Sequence, residues 1–326
     1  MRAVICRAWG PVANLNVEDV PAPAPADDEV LIDVRATSVN YADSIMVAGK
    51  YQTRPPFPFS PGLETAGVVS RCGARAARFK PGDRVMATLA WGGLAEQAVA
   101  KEAETFAIPD GMTFEEAGAF PIAYISSDVA LRWQGRLEPG ETLLVLGAAG
   151  GVGLTAVEIG KAMGARVIAA ASTAEKLAVA QARGADALVN YTTEKLTERV
   201  MALTGDRGAD VCFDPVGGEL FDAALSSLGW GGRFLLVGFV GGVPQIPANR
   251  LLVKNRAALG SSLRYFRWHA PDKLARTVVE LLDWYRDGRL RPCITHRLPL
   301  ERSVEAIRLL MERKAHGKII VVRDGR

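Results

Sequence analysis

The stretch PGLETAGVV at positions 61–69 sets one carboxylate, Glu64, in an apolar run between two glycines. A carboxylate so placed can ligate a metal, line an active site or accept hydrogen bonds at a turn. The rest of the chain speaks against a metal. Zinc needs several thiolate or imidazole ligands brought together. The cysteines stand far apart, at Cys6, Cys72, Cys212 and Cys293, and the histidines, His269, His296 and His316, all lie far downstream. That spacing suggests neither a disulfide framework nor a zinc knuckle, so reduced thiols in a cytosolic protein are expected. Asp43, Asp83 and Asp214 sit beside turn residues and are read as turn caps.

The second chemical feature is ETLLVLGAAGGVGLTAVEIGKAMGARVIAAAS at 141–172, which reads as strand, glycine turn, helix and second strand. In that context Gly150 and Gly153 permit close backbone approach, and the helix N-terminus offers N–H groups and a positive dipole end to a pyrophosphate. The turn spans Gly147, Ala149, Gly150, Gly151, Val152 and Gly153; the first glycine of the usual G-x-G-x-x-G pattern is replaced by Ala148. A small side chain is tolerated there. At the end of the second strand an NAD site would carry an acid for the ribose 2′-hydroxyl. This chain offers Ser172 and Lys176 instead. A hydroxyl and an ammonium attract a 2′-phosphate that a carboxylate would repel, so NADPH is the expected cofactor.

The elements that must position these groups follow from patterning. Short strands broken by Pro and Gly fill the first hundred residues, including EVLIDVRATSVN, AGVVSRC, DRVMATL and GGLAEQAVA. Thr113, ahead of Glu115 and Glu116, predicts a helix start. Strands then alternate with helices through KIIVV, with an amphipathic helix expected over 272–287. Such alternation implies a parallel sheet with helices on both faces. The tail returns to the N-terminal domain, which makes the cofactor domain an insertion: 1–123 with 264–326 around 124–263. The net charge of +3 across 326 residues is small and unclustered, so no nucleic-acid partner is expected. No apolar run suggests a signal peptide or a membrane span.

With these features in place, the chain resembles the zinc-independent quinone oxidoreductase (zeta-crystallin-like) branch of the medium-chain dehydrogenase/reductase superfamily. The motifs that carry the resemblance are NYAD at 40–43, PGLETAGVV, PGDRV at 81–85, AAGGVG at 148–153, FDPVGG at 213–218 and HGKIIVV at 316–322. The resemblance implies a Rossmann-type doubly wound parallel sheet inserted in a mainly β, GroES-like catalytic domain. Where the zinc-dependent relatives carry Cys and His ligands, this chain has Asn40 and Leu63; no cysteine lies between Cys72 and Cys212 to build a structural zinc lobe. By resemblance, Asn40, Tyr41, Tyr51 and Ser126 are the catalytic candidates. Tyr191, Val237, Phe239 and Lys318 join the glycine turn, Ser172 and Lys176 as cofactor contacts, and a homodimer through the strand near 256–263 is implied.

Without ligands for a Lewis acid, alcohol oxidation loses its simple route. Hydride transfer from NADPH to an electron-poor acceptor remains feasible, because the cofactor carries the hydride and the protein positions it. A quinone or similar carbonyl acceptor is therefore expected. Two alternatives stay open: an enoyl thioester or enone reductase, for which Arg54, Arg264 and Arg267 could supply a phosphate patch, and a non-catalytic NADPH-binding protein.

Overall fold

The computed structural model describes residues 1–323. Two compact units share the chain: Met1–Ile122 together with the chain from Pro292 onward, and Ala123–Arg291.

The first unit is built on a seven-stranded sheet. Its order is Ile294–Pro299, Lys318–Val322, Glu29–Ser38, Glu64–Cys72, Arg84–Thr88 and Thr105–Ala107, with Gln97–Lys101 also pairing with Glu29–Ser38. All pairings are antiparallel except that of Ile294–Pro299 with Lys318–Val322. A two-stranded ribbon, Arg2–Ile5 with Asn16–Asp19, lies outside that sheet. The β-branched side chains of Val30, Ile32, Val34, Val69 and Val85 form the apolar filling. The C-terminal strand reaches the long strand through Ile320 opposite Ser38, and this register brings Lys318 into the same neighbourhood as Glu64. Thr113 caps the helix Phe114–Gly118 as its sequence predicts: Thr113 Oγ1 accepts from Glu116 N at 3.2 Å, and Glu116 accepts from Thr113 N at 2.9 Å.

The second unit holds a six-stranded, wholly parallel sheet. Its order is Ala187–Asn190, Arg166–Ala171, Thr142–Leu146, Ala209–Asp214, Leu228–Leu236 and Ala257–Gly260. The chain starts mid-sheet at Thr142–Leu146, winds outward one way, then returns to build the other half. That reversal places a topological switch between Thr142–Leu146 and Ala209–Asp214, where open α/β sheets bind ligands at the carboxyl ends of their strands. The strand TLLVL is buried throughout. Leu144 and Leu146 pack with Phe221, Leu225 and Val200, while Gly160 of the helix Gly151–Ala162 lies over Leu143. A strand covered on both faces has to read as continuously apolar.

The second crossing between the units falls at 291/292, not at 263/264 as the sequence suggests. The helix Pro271–Arg286 is amphipathic, as expected, and its apolar face, Leu274, Val278, Leu281 and Leu282, is buried. Its partners belong to the parallel-sheet unit. Trp133 Nε1 donates to Thr277 Oγ1 at 2.9 Å, Thr277 Oγ1 donates to the buried Asp128 at 3.1 Å, and Arg132 pairs with Glu280 at 2.8 Å. An amphipathic pattern says which face of a helix is covered, not what covers it.

Candidate active site

The candidate nucleotide cradle lies within the parallel-sheet unit. The strand Thr142–Leu146 ends at Gly147, whose φ of 57° carries the chain into the turn. Gly150 N donates to Gly147 O at 2.9 Å, and Gly150 then serves as N-cap of the helix Gly151–Ala162. A Cβ on Gly153 would lie 2.2 Å from Gly147 O, so only glycine permits this closure of helix on turn. The first helical N–H groups have no intrahelical acceptors, and no acidic residue occupies the first turn to compete for them. Ala148, at the departed position, is fully buried and donates its N–H to Ala170 O at 3.2 Å. Ala149 is also buried; Gly151 and Val152 are half-buried and Gly150 is exposed. These features suit a pyrophosphate lying on a helix N-terminus.

The second strand delivers the other end of the cradle. Beyond Ala171, Thr173 caps the helix Ala174–Ala182, and Lys176 Nζ donates to Ser172 Oγ at 3.3 Å. Tyr191, after the neighbouring strand, is tied to the same place because its N–H donates to Ala171 O at 3.2 Å. Ser172 and Lys176 thus lie together beyond the second strand, with the backbone of Tyr191 held at the end of the neighbouring strand. Thr192 belongs with them and was not among the sequence candidates: its Oγ1 donates to Ser172 O at 3.1 Å. The only signal for it was a second hydroxyl after the tyrosine.

At the switch point Asp214 Oδ1 accepts from Val216 N at 2.7 Å and Gly217 N at 2.9 Å, the turn-capping role its motif suggests. Its other oxygen is buried without a hydrogen-bond partner. Burial raises the Asp214 pKa, against the two N–H donors that lower it. The same residue's carbonyl accepts from Val237 N at 2.9 Å, which sets the backbone of Val237; Phe239, two residues on, is 43% exposed. Ser126 is half-buried on the helix Pro121–Asp128, and its neighbour Ser127 anchors that helix by donating to Val152 O at 2.9 Å.

The antiparallel unit holds a separate polar cluster around Glu64. Gly62, at φ 107°, packs against the backbone of Gly93 and Leu94 so closely that a Cβ would lie 2.6 Å from Leu94 N. This turn directs Leu63 into an apolar cluster with Val39, Met46 and Ile319, and leaves Glu64 fully buried. Glu64 Oε1 accepts from Ser38 Oγ, from Asn40 Nδ2 at 2.9 Å and from Lys318 Nζ at 3.0 Å. Its Oε2 accepts from Ile122 N at 2.8 Å. Lys318 Nζ also donates to Asn40 Oδ1 at 2.7 Å. Asp43 closes the cluster, accepting from Asn40 N at 2.7 Å and Gly62 N at 3.0 Å. Burial pushes its carboxyl up to about 7 against those two N–H donors, with the Glu64 charge adding to the rise and Lys318 opposing it.

The carboxylate between glycines is thus a hydrogen-bond hub. Tyr41 opens the helix Tyr41–Val47, and Tyr51 packs half-buried against the apolar cluster that holds Leu63. Asn40, Tyr41 and Tyr51 share this unit with Lys318; Ser126 and the other candidate nucleotide contacts belong to the second. Lys318, expected among the cofactor contacts, has its ammonium directed to Asn40 and Glu64. Among the described residues no group of three or more His, Cys, Asp or Glu side chains is arranged to hold a metal.

An antiparallel-sheet unit joined to a parallel sheet with a glycine turn at its switch point is the architecture of a nucleotide-dependent dehydrogenase or reductase. Residues 26–110 match the alcohol dehydrogenase GroES-like domain, and residues 151–283 match the zinc-binding dehydrogenase family. The quinone oxidoreductase-like protein 2 homolog of Nematostella vectensis is 36% identical over 325 residues, covering 98% of this chain and 88% of that protein. The quinone oxidoreductase of Thermus thermophilus is 34% identical with a TM-score of 0.87, covering 99% of this chain and 100% of that one. The Escherichia coli quinone oxidoreductase complexed with NADPH is 26% identical with a TM-score of 0.93, again covering 99% of this chain and 100% of that one. The chain belongs to the zinc-independent quinone oxidoreductase branch of the medium-chain dehydrogenase/reductase superfamily, and is an oxidoreductase of that type.

Proposed function

We propose that this protein reduces a quinone, or a similarly electron-poor carbonyl acceptor, at the expense of NADPH and without a metal. The observation that carries the cofactor reading is the convergence of Ser172 Oγ and Lys176 Nζ at 3.3 Å beyond the second strand, where an NADH site would present a carboxylate. The NADPH complexes of the Escherichia coli and Thermus thermophilus quinone oxidoreductases support it. The glycine turn from Gly147 to Gly153 would hold the pyrophosphate, Ser172 and Lys176 the 2′-phosphate, and Tyr191 the adenosine end. Bound NADPH supplies a hydride.

The acceptor reading rests on the residues at the family's metal positions. Leu63 cannot ligate and is packed in an apolar cluster, and Asn40 is engaged with Glu64 and Lys318. Those two positions therefore offer no ligands for a Lewis acid that could help deprotonate an alcohol. Tyr51, in the same unit as Asn40 and Tyr41, is the candidate hydroxyl donor. A quinone gains aromaticity on reduction and needs little acid help, whereas an enoyl thioester develops an enolate and needs a donor at its oxygen.

We further propose a cytoplasmic homodimer. The strand Ala257–Gly260 ends the parallel sheet, and near its start the turn after Trp230 is tied to Lys254 by a 2.8 Å hydrogen bond. Trp230, Leu252 and Val253 are each more than three-quarters exposed there, an apolar edge that a second copy would cover. No helix among the described residues is long and apolar enough to cross a membrane.

The test is Tyr51→Phe assayed against two acceptors. Quinone turnover should fall only about threefold. Robust crotonyl-CoA reduction by the wild type, collapsing roughly a hundredfold in Tyr51→Phe with quinones inert, would replace the quinone reading with an enoyl reductase.

A further inference from the structure

Asn40 is gripped by one buried ion pair. Lys318 Nζ donates to its Oδ1 at 2.7 Å and to Glu64 Oε1 at 3.0 Å, while Asn40 Nδ2 donates to that same glutamate oxygen at 2.9 Å. An ammonium only donates and a carboxylate only accepts. The carboxamide consequently has a single orientation, because its reverse would set the NH2 group against the ammonium and the carbonyl against the carboxylate. The backbone is held as well, through Asn40 N donating to Asp43 Oδ2 at 2.7 Å.

Stability alone is a poor reason for this arrangement. Glu64 is fully buried and Lys318 is 6% exposed. Removing two charges from water costs about as much as their attraction returns, and apolar residues of the same volume often serve a core as well. What the pair does achieve is orientation of one group that a ligand can reach, since Asn40 itself is only half-buried. Its Oδ1 accepts from Lys318, and the same side chain forms a capping box with Asp43 at the start of the helix Tyr41–Val47.

We propose that the Glu64–Lys318 pair is a positioning device, which fixes the Asn40 carboxamide in the one orientation that it presents to the bound reactants. The inference rests on the functional reading above in taking Asn40 as an active-site residue. It gives Lys318 a role exerted through Asn40, distinct from that of a cofactor phosphate ligand.

The test is a double-mutant cycle of Lys318→Met and Asn40→Ala, read as kcat and KM with NADPH and a quinone. Misplacing a positioned group costs on the order of tenfold to a hundredfold, so each single change should lower kcat by that much. The combined variant should be no slower than Asn40→Ala alone, and Lys318→Arg should recover most of the loss. A Lys318→Met loss that persists undiminished on the Asn40→Ala background overturns the proposal. So does an effect confined to KM for NADPH. Because Lys318→Met leaves a buried unpaired carboxylate, the charge-neutral pair Glu64→Gln with Lys318→Met is measured beside it and should follow the same pattern.

A readout without turnover keeps the two claims separate. In asparagine-labelled protein the side-chain NH2 signal of Asn40, identified by its loss in Asn40→Ala, should shift in Lys318→Met and return in Lys318→Arg. An unmoved signal refutes the positioning role. A wild type inactive with every acceptor would refute the functional reading, while the signal still decides whether Lys318 sets the carboxamide.

Discussion

Replacing Lys176 with alanine separates a phosphate-binding pocket from an ordinary nucleotide turn. Lys176 stands one helical turn from Ser172, with Nζ 3.3 Å from Ser172 Oγ, and its side chain is part-buried at that contact. A charge-assisted hydrogen bond to a phosphate is worth about 1.5–3 kcal/mol. Partial exposure screens it, which places the loss near the lower end, roughly 1.5–2 kcal/mol, or about 10- to 30-fold in Kd. NADH has no 2′-phosphate and should bind the variant as it binds the wild type. Nucleotide fluorescence titrations at low and high salt measure both affinities. Wild-type preference for NADPH should shrink in salt, and the variant should show little preference to lose. Equal affinity of the wild type for both nucleotides, or equal weakening of both in the variant, would refute the reasoning. In that case Lys176 would serve only to support its helix.

Other outcomes follow from the same geometry. Ser172→Asp should reverse the preference toward NADH, because a carboxylate then faces the ribose; titration with the two nucleotides checks it. Gly153→Ala forces a Cβ against Gly147 O and should lower stability by about 1–3 kcal/mol, with loss of nucleotide binding, as measured by urea unfolding and titration. Asp43 gives a pH signature. Its folded pKa is raised from 3.8 to about 7, so its stabilising contribution is full below about 4 and is lost as pH rises through 7. Unfolding free energies across that window should fall with rising pH by up to about 1.4 kcal/mol per unit, and Asp43→Asn should remove that component of the slope. Light scattering at micromolar concentration should give the mass of a dimer; a monomer would contradict the pairing at Ala257–Gly260.

Much of the fold is legible because local chemistry and tertiary context agree. The apolar strand, Gly153 and Ser172 in place of a carboxylate at the end of the second strand are all read within one contiguous βαβ segment, and Thr113 signals its helix through a cap formed with Glu116, close by in sequence. The cluster around Glu64 is a different matter. Lys318 lies 254 residues from Glu64 in sequence, and only the register of Lys318–Val322 against Glu29–Ser38 makes them neighbours. A motif shows that Glu64 sits in a tight turn; it does not show which cation neutralises it. The unit to which the helix Pro271–Arg286 belongs is hidden from the sequence for a related reason, since its partners Asp128, Arg132 and Trp133 lie on a segment far earlier in the chain. Thr192 is not legible in the sequence because a single hydroxyl in a polar turn has no periodic or motif signature.

The central claim, that NADPH hydride reaches a quinone through this chain, is tested most directly by anaerobic stoichiometry. Purified protein should consume NADPH only when an ortho- or para-quinone is added, forming one hydroquinone per NADPH oxidised. An NADPH signal that neither an ortho- nor a para-quinone diminishes, in protein shown by titration to bind the nucleotide, would contradict the account.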